Sequence, residues 1–232
     1  MAAKNQTLVV TGASRGLGRH VCLRAAGEGY DVIGLARAVK PEIDGVRMIS
    51  CDVGDPVQVA AAFREVRKAG NFYGLINAAG IASMNLILTT PPATMDRIIR
   101  VNLLGTMYCS QQGGRLLARK RLGRIVNFST LAHSIALKGE AVYAASKGGV
   151  ESFSRTFARE MGDHNVTVNC ISPGPIDTDL IAKVPRSNIA MIVGHQIIQL
   201  QAVPEDVWNA VSLLLSPAAS MVTGDVIHLG GA

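Results

Sequence analysis

Short apolar runs of strand length recur at Thr7–Thr11, Asp31–Ala36, Val46–Cys51, Gly74–Asn77, Arg124–Ser129, Val166–Ile171 and Val226–Leu229. Between most of them lie longer stretches with the amphipathic spacing of helices. Strand and helix in alternation build βαβ units, and strands covered on both faces read as apolar runs. With right-handed crossovers, the pattern predicts an α/β fold whose seven strands form a mostly parallel, doubly wound sheet with helices on both faces. The segment from about 174 to 201 breaks the alternation, mixing Pro175, Pro185 and Gly194 with helix-like pieces, and is expected to be a mobile substrate lid. No repeat or linker divides the chain, so residues 1–232 are expected to form a single domain.

Composition supports a folded enzyme rather than a disordered chain, since 48% of residues are hydrophobic and only 17% charged. Cys22, Cys51, Cys109 and Cys170 are widely spaced and form no CxxC, which points away from a zinc knuckle or redox pair and toward a reducing cytoplasm. No apolar stretch reaches membrane-spanning length, and nothing directs the chain to export. The five histidines lack ligand spacing, so no metal is expected. The formal charge of +6 is scattered apart from Arg115, Arg119, Lys120, Arg121 and Arg124. Without interleaved aromatics or a nucleic-acid motif, that cluster reads as a solvated helix end or as a surface for an acidic or phosphorylated partner.

The candidate chemistry gathers at predicted strand ends, where open α/β sheets bind their ligands. After the first strand comes Thr11-Gly12-Ala-Ser14-Arg15-Gly16-Leu17-Gly18, opening a helical segment. Its glycines permit close approach of a pyrophosphate, and the helix start offers free amides. The second strand ends at Ala36-Arg37 with no acid before Glu42, so Arg37 and Arg15 favour the 2′-phosphate of NADP(H) over the bare ribose of NAD. Asp52, before Val53, reads either as an acceptor for the adenine amino group or as a helix cap. Asn77-Ala78-Ala79-Gly80 reads as a close approach to a flat ring or as a tight turn. Tyr143 and Lys147 stand one helical turn apart, so the ammonium is expected to lower the phenol pKa and make Tyr143 a general acid.

These motifs, with Asn102 and Pro173-Gly174, occur in an order and spacing that resembles the short-chain dehydrogenase/reductases along essentially the whole chain. The resemblance implies a single-domain Rossmann fold and a ketoreductase. Tyr143 would protonate the carbonyl oxygen, Lys147 would bind the nicotinamide ribose, and Asn102 would hold a water feeding protons to Lys147. Where the family usually has serine, thirteen residues before the tyrosine, this chain has Thr130, with Ser129 as the alternative hydroxyl. Ile176 would lie at the carboxamide, and Thr178 would bond to it or to a phosphate unless it caps a helix.

Within the family, Gly123-Arg-Ile-Val-Asn127 and the closing strand are similar to bacterial 3-oxoacyl-[acyl-carrier-protein] reductases. That likeness implies a 3-oxoacyl thioester of fatty-acid or polyketide-type synthesis, with acyl carrier protein docking near Arg121. A second docking position holds His164, which departs from the basic pattern. Another small ketone or alcohol is the alternative substrate, and a non-catalytic nucleotide sensor or scaffold is the alternative of a different class. A homotetramer is expected by resemblance, joined through the helices around Met95–Leu117 and Val142–Met161 and through the last strand.

Overall fold

A computed structural model describes residues 5–39, 42–182 and 184–231; the start of the amino-terminal stretch, residues 1–4, lies outside them. Seven strands form one sheet: β1 (Thr7–Thr11), β2 (Asp31–Ala36), β3 (Val46–Ser50), β4 (Phe72–Asn77), β5 (Gly123–Phe128), β6 (Val166–Pro173) and β7 (Val226–Leu229). Their order is β3-β2-β1-β4-β5-β6-β7, and every pairing is parallel. The apolar runs mark the strands to within two residues. β4 begins two residues earlier than expected, and β6 continues through Pro173, whose missing amide is tolerated at a strand's last position.

Alternation along each strand feeds two cores. Leu8 and Val10 of β1, Ile76 of β4 and Val126 of β5 face one side, where Val21, Trp208 and Leu214 cover them. Val9, Leu75 and Ile125 face the other and pack on Val59, Phe63, Leu117 and Met161. The first layer is α1 (Gly16–Gly27) with α8 (Pro204–Leu215), and the second is α2 (Pro56–Ala69), α4 (Gly105–Lys120) and α6 (Ala141–Gly162). The remaining helices are α3 (Pro92–Ile99), the short α5 (Leu131–Ser134) and α7 (Arg186–Gly194) within the expected lid segment. Between α3 and α4, residues Arg100–Leu104 form one π-helical turn, so residues 92–120 run as one rod with a widened middle. None of these helices is long and apolar enough to cross a membrane.

Register aligns Thr11, Asn77, Asn127 and Cys170 in one row across the sheet. Beneath the strand ends, Asn77 Nδ2 donates to Asn127 Oδ1 at 2.8 Å and to Ser110 Oγ at 3.0 Å, while Asn127 Nδ2 donates to Ser154 Oγ at 2.8 Å. Buried amides need such partners. They tie β4 and β5 to α4 and α6 directly under the strand ends.

The turn between β1 and α1 depends on absent side chains. Gly12 has φ of +69°, and a Cβ there would stand 2.8 Å from Ala79 Cα; a Cβ on Gly18 would meet the Gly12 carbonyl oxygen at 2.3 Å. Gly18→Ala is expected to cost about 2 kcal/mol by overpacking, lowering Tm by roughly 4–8 °C in thermal unfolding followed by circular dichroism.

Candidate active site

At the carboxyl end of the sheet the β1–α1 turn, the Asn77–Gly80 turn and the ends of β5 and β6 stand side by side and border the candidate cleft. Helix α1 starts with no side-chain cap, so its first amides are free for an anion. Gly16 has φ of +54°, and a Cβ built there would face Thr178 at 3.7 Å across the opening. Ser14 and Leu17 are half-buried on the turn. Arg15 and Arg37 are exposed, and among the described residues neither forms an ion pair. The uncapped amides, the glycine turn and the two unpaired guanidinium groups suit the phosphates of a dinucleotide.

Several sequence-predicted residues serve the walls of this cleft. Ala79 N donates to Thr11 Oγ1 at 3.0 Å, which presses the 77–80 turn onto Gly12. The side chain of Asn77 turns beneath the cleft, where Nδ2 donates to Ser110 and Asn127 and Oδ1 has no partner among the described residues. Asp52 Oδ1 accepts from Gly54 N at 2.9 Å, whereas the cap of α2 is Asp55, so the helix-cap reading of Asp52 does not hold. Val53 is buried against Gly105. Thr178 donates to the Ile176 carbonyl at 3.4 Å and caps no helix, since α7 begins only at Arg186. Ile176 is buried, and Gly174, which follows Pro173, leaves room for the Gln196 side chain.

Asn102, Tyr143 and Lys147 converge as expected. The π turn faces Asn102 inward: Oδ1 accepts from Ile81 N at 2.9 Å, and Nδ2 donates to the Ile81 carbonyl at 2.9 Å and to Ser146 Oγ at 3.1 Å. Lys147 Nζ donates to the Phe128 carbonyl at 2.8 Å. A Cβ on Gly80 would lie 3.6 Å from that Nζ and 3.7 Å from Asn102 Oδ1, so Gly80 sits directly against both. The Thr130 hydroxyl caps α5, accepting from Ala132 N at 3.3 Å, and lies close enough to the Tyr143 phenol to oppose part of the rise in its pKa. Ser129 turns instead to Glu151 Oε1 at 2.5 Å, which leaves Thr130 as the hydroxyl beside Tyr143.

The surroundings of the phenol work against the expected lowering of its pKa. Burial and the nearby Glu140 charge push the Tyr143 phenol up to about 12, against a smaller opposing effect of Thr130, and Lys147 does not lower it. The amine lies 6.0 Å from the centre of the phenol ring, and burial brings its own pKa down to about 8. Periodicity alone could not show how dry the α6 face is. The sequence reading also missed Glu140, Ser146 and Glu151. Only Glu151 left a signal, since 143, 147 and 151 continue one four-residue stripe.

The fold and cleft are those of a dinucleotide-dependent oxidoreductase, and the comparisons agree. The chain belongs to the short-chain dehydrogenase/reductase family: a family profile described as enoyl-(acyl carrier protein) reductase matches residues 12–231. It is 33% identical over 247 residues to the short-chain reductase protein NovJ of Streptomyces niveus, covering 99% of this chain and 94% of that protein. It is 30% identical over 243 residues to the 3-oxoacyl-[acyl-carrier-protein] reductase FabG of Escherichia coli K12, covering 100% and 98%. The solved aldohexose dehydrogenase of Thermoplasma acidophilum superposes with a TM-score of 0.89 at 32% identity, covering 98% and 94%.

Glu140 is 6% exposed, its Oε2 has no partner among the described residues, and burial raises its pKa from 4.5 to about 7. Between those values the folded protein holds a proton that the unfolded chain has released, so this group's contribution to stability falls as pH rises from 4.5 to 7. Glu140→Gln is expected to remove that fall, leaving the variant more stable than wild type at pH 8 by on the order of 2 kcal/mol. Urea unfolding at a series of pH values measures it.

Proposed function

We propose that the protein is an NADPH-dependent ketoreductase whose substrate is a 3-oxoacyl thioester carried on acyl carrier protein. The observation that carries the reading is the meeting of Lys147 Nζ and Asn102 Oδ1 at Gly80, with the Tyr143 ring 6.0 Å from that Nζ, on the same end of the sheet as the uncapped start of α1.

When bound, the reduced nicotinamide supplies the hydride. Gly12, Ser14, Gly16, Leu17 and Gly18 would hold the pyrophosphate at the start of α1, Asp52 and Val53 would border the adenine, and the Asn77–Gly80 turn with Pro173, Gly174, Ile176 and Thr178 would flank the ribose and carboxamide. Thr130 orients the substrate oxygen and Tyr143 Oη protonates it. Lys147 has one protein acceptor, the Phe128 carbonyl, which leaves further donors for the ribose hydroxyls. Both hydrogens of Asn102 Nδ2 are engaged, by Ile81 and Ser146, and Oδ1 accepts from Ile81 N. Its main-chain carbonyl, which accepts from Thr106 Oγ1 at 2.8 Å, is the group that would meet the relaying water.

The likeness to the Escherichia coli FabG protein favours the thioester over another ketone. Arg121 needs a particular arrangement to serve as the carrier dock. It precedes the amino end of β5, while Thr130 follows the carboxyl end, and six residues of strand separate those ends by roughly 20 Å. Its guanidinium also donates to the Asp163 carbonyl at 2.8 Å. A carrier held there would feed the cleft of another copy, in keeping with the homotetramer inferred from the family. The groove of about 350 Å³ between α4 and α6, lined by Met107, Phe153, Phe157 and Met161, fits such a contact.

Tyr143→Phe is expected to lower kcat for acetoacetyl thioester reduction by at least roughly 10²–10³-fold while NADPH affinity stays within about threefold. NADPH oxidation followed by absorbance, with nucleotide fluorescence titration, tests it. Undiminished turnover would refute the assignment. Arg37→Asp is expected to cut kcat/KM for NADPH at least about tenfold and to favour NADH, read in the same assay with both nucleotides.

A further inference from the structure

Three consecutive residues at the end of β5 each grip α6. The Phe128 carbonyl takes Lys147 Nζ at 2.8 Å, the Ser129 hydroxyl donates to Glu151 Oε1, and the Thr130 hydroxyl lies beside the Tyr143 phenol, opposing part of the rise in its pKa. Their partners, 143, 147 and 151, lie on one helical stripe. Two of these grips involve groups of the proposed reaction. The third, at Glu151, has no place in it.

Glu151 is a costly residue to place there. It is 6% exposed, and a buried carboxylate is tolerated only with hydrogen bonds and compensating charge. Both are provided. Oε1 takes the Ser129 hydroxyl, and Oε2 faces His133 Nε2 at 3.9 Å and Arg155 at 3.8 Å, one helical turn further along α6. His133 belongs to α5, whose cap is Thr130. Glu151 therefore meets this short helix on both sides of its cap, through Ser129 before it and His133 after it. Gly148 makes the second contact possible, because a Cβ there would come within 3.0 Å of the His133 ring. For filling space alone, an apolar side chain would be at least as stable. What a carboxylate adds is direction.

We propose that Glu151 is a positioning residue, whose carboxylate fixes the β5–α5 corner so that Thr130 meets Tyr143 and the Phe128 carbonyl meets Lys147. The inference rests on the proposed ketoreductase reading of Tyr143 and Thr130. A displacement of about 1 Å in groups so placed costs on the order of 10²-fold in rate.

The test is a double-mutant cycle on the intact protein, reading kcat for acetoacetyl thioester reduction, the Kd for NADPH and Tm. Glu151→Ala is expected to lower kcat roughly 10- to 100-fold with Kd changed less than about threefold. Glu151→Gln, whose amide oxygen still accepts from Ser129, is expected to restore kcat to within about fivefold of wild type. Ser129→Ala combined with Glu151→Ala is expected to be no slower than Glu151→Ala alone, as for two residues acting through one contact. The role is overturned if Glu151→Ala turns over like wild type, if Kd weakens in step with kcat, or if the two single losses multiply. Should Glu151→Ala not fold, Ser129→Ala alone decides, with kcat lowered at unchanged Kd as the expected result and unchanged kcat overturning it. Wild-type turnover that survives Tyr143→Phe strikes the ketoreductase reading; turnover that survives Glu151→Ala but not Tyr143→Phe strikes only the positioning role.

Discussion

Lys147 is an amine held almost out of water, 5% exposed, with the Phe128 carbonyl at 2.8 Å as its protein acceptor. Burial alone works against its charge, and the surrounding structure is arranged around that difficulty. The carbonyl it uses belongs to the last residue of β5, so strand and helix must stay in register for the ammonium to have any partner. Gly80 brings a second chain segment against the same nitrogen without adding a side chain that would fill the space. The ammonium thus keeps donors turned toward the cleft.

Beneath it, the polar layer of Asn77, Asn127, Ser110 and Ser154 serves the same end by different means. These side chains lie beneath the cleft rather than in it, and their bonds join strand ends to helices that carry cleft residues. Hydrogen bonds are directional, so they fix the relative position of those elements more narrowly than apolar contacts. On the far wall, the near contact of Gly12 with Ala79 sets the distance between the first two turns. Cleft width is therefore determined by main-chain packing, and cleft depth by buried amides.

Much of this could be read before any coordinates. Apolar runs located all seven strands because both sheet faces are covered, and periodicity brought Tyr143 and Lys147 together because the helix there is regular. Three features escaped. The π turn at Arg100–Leu104 carries no Pro or other breaker, so the rod reads as plain helix. Glu151 looks like an ordinary polar position until Ser129 and His133 are seen beside it, and both reach it from another element. The elevated phenol pKa of Tyr143 escaped as well, because charge spacing shows where an ammonium can reach but not how little water surrounds it. Local pattern captures what a residue is next to along its own element; dielectric and cross-element bonds appear only in three dimensions.

The widened turn also determines how this stretch can change over time. Removing one residue from it would let the wide turn close to an ordinary α turn, and both segments would remain good helices. Asn102 would then swing away from Ile81 and Ser146, and the loop beside Gly80 would lose its tether. A chain shortened in this way would still look helical by circular dichroism and still fill its core, but its cleft would be out of true. Length here is as much a functional trait as any side chain, and one that a residue-by-residue substitution scan would never expose.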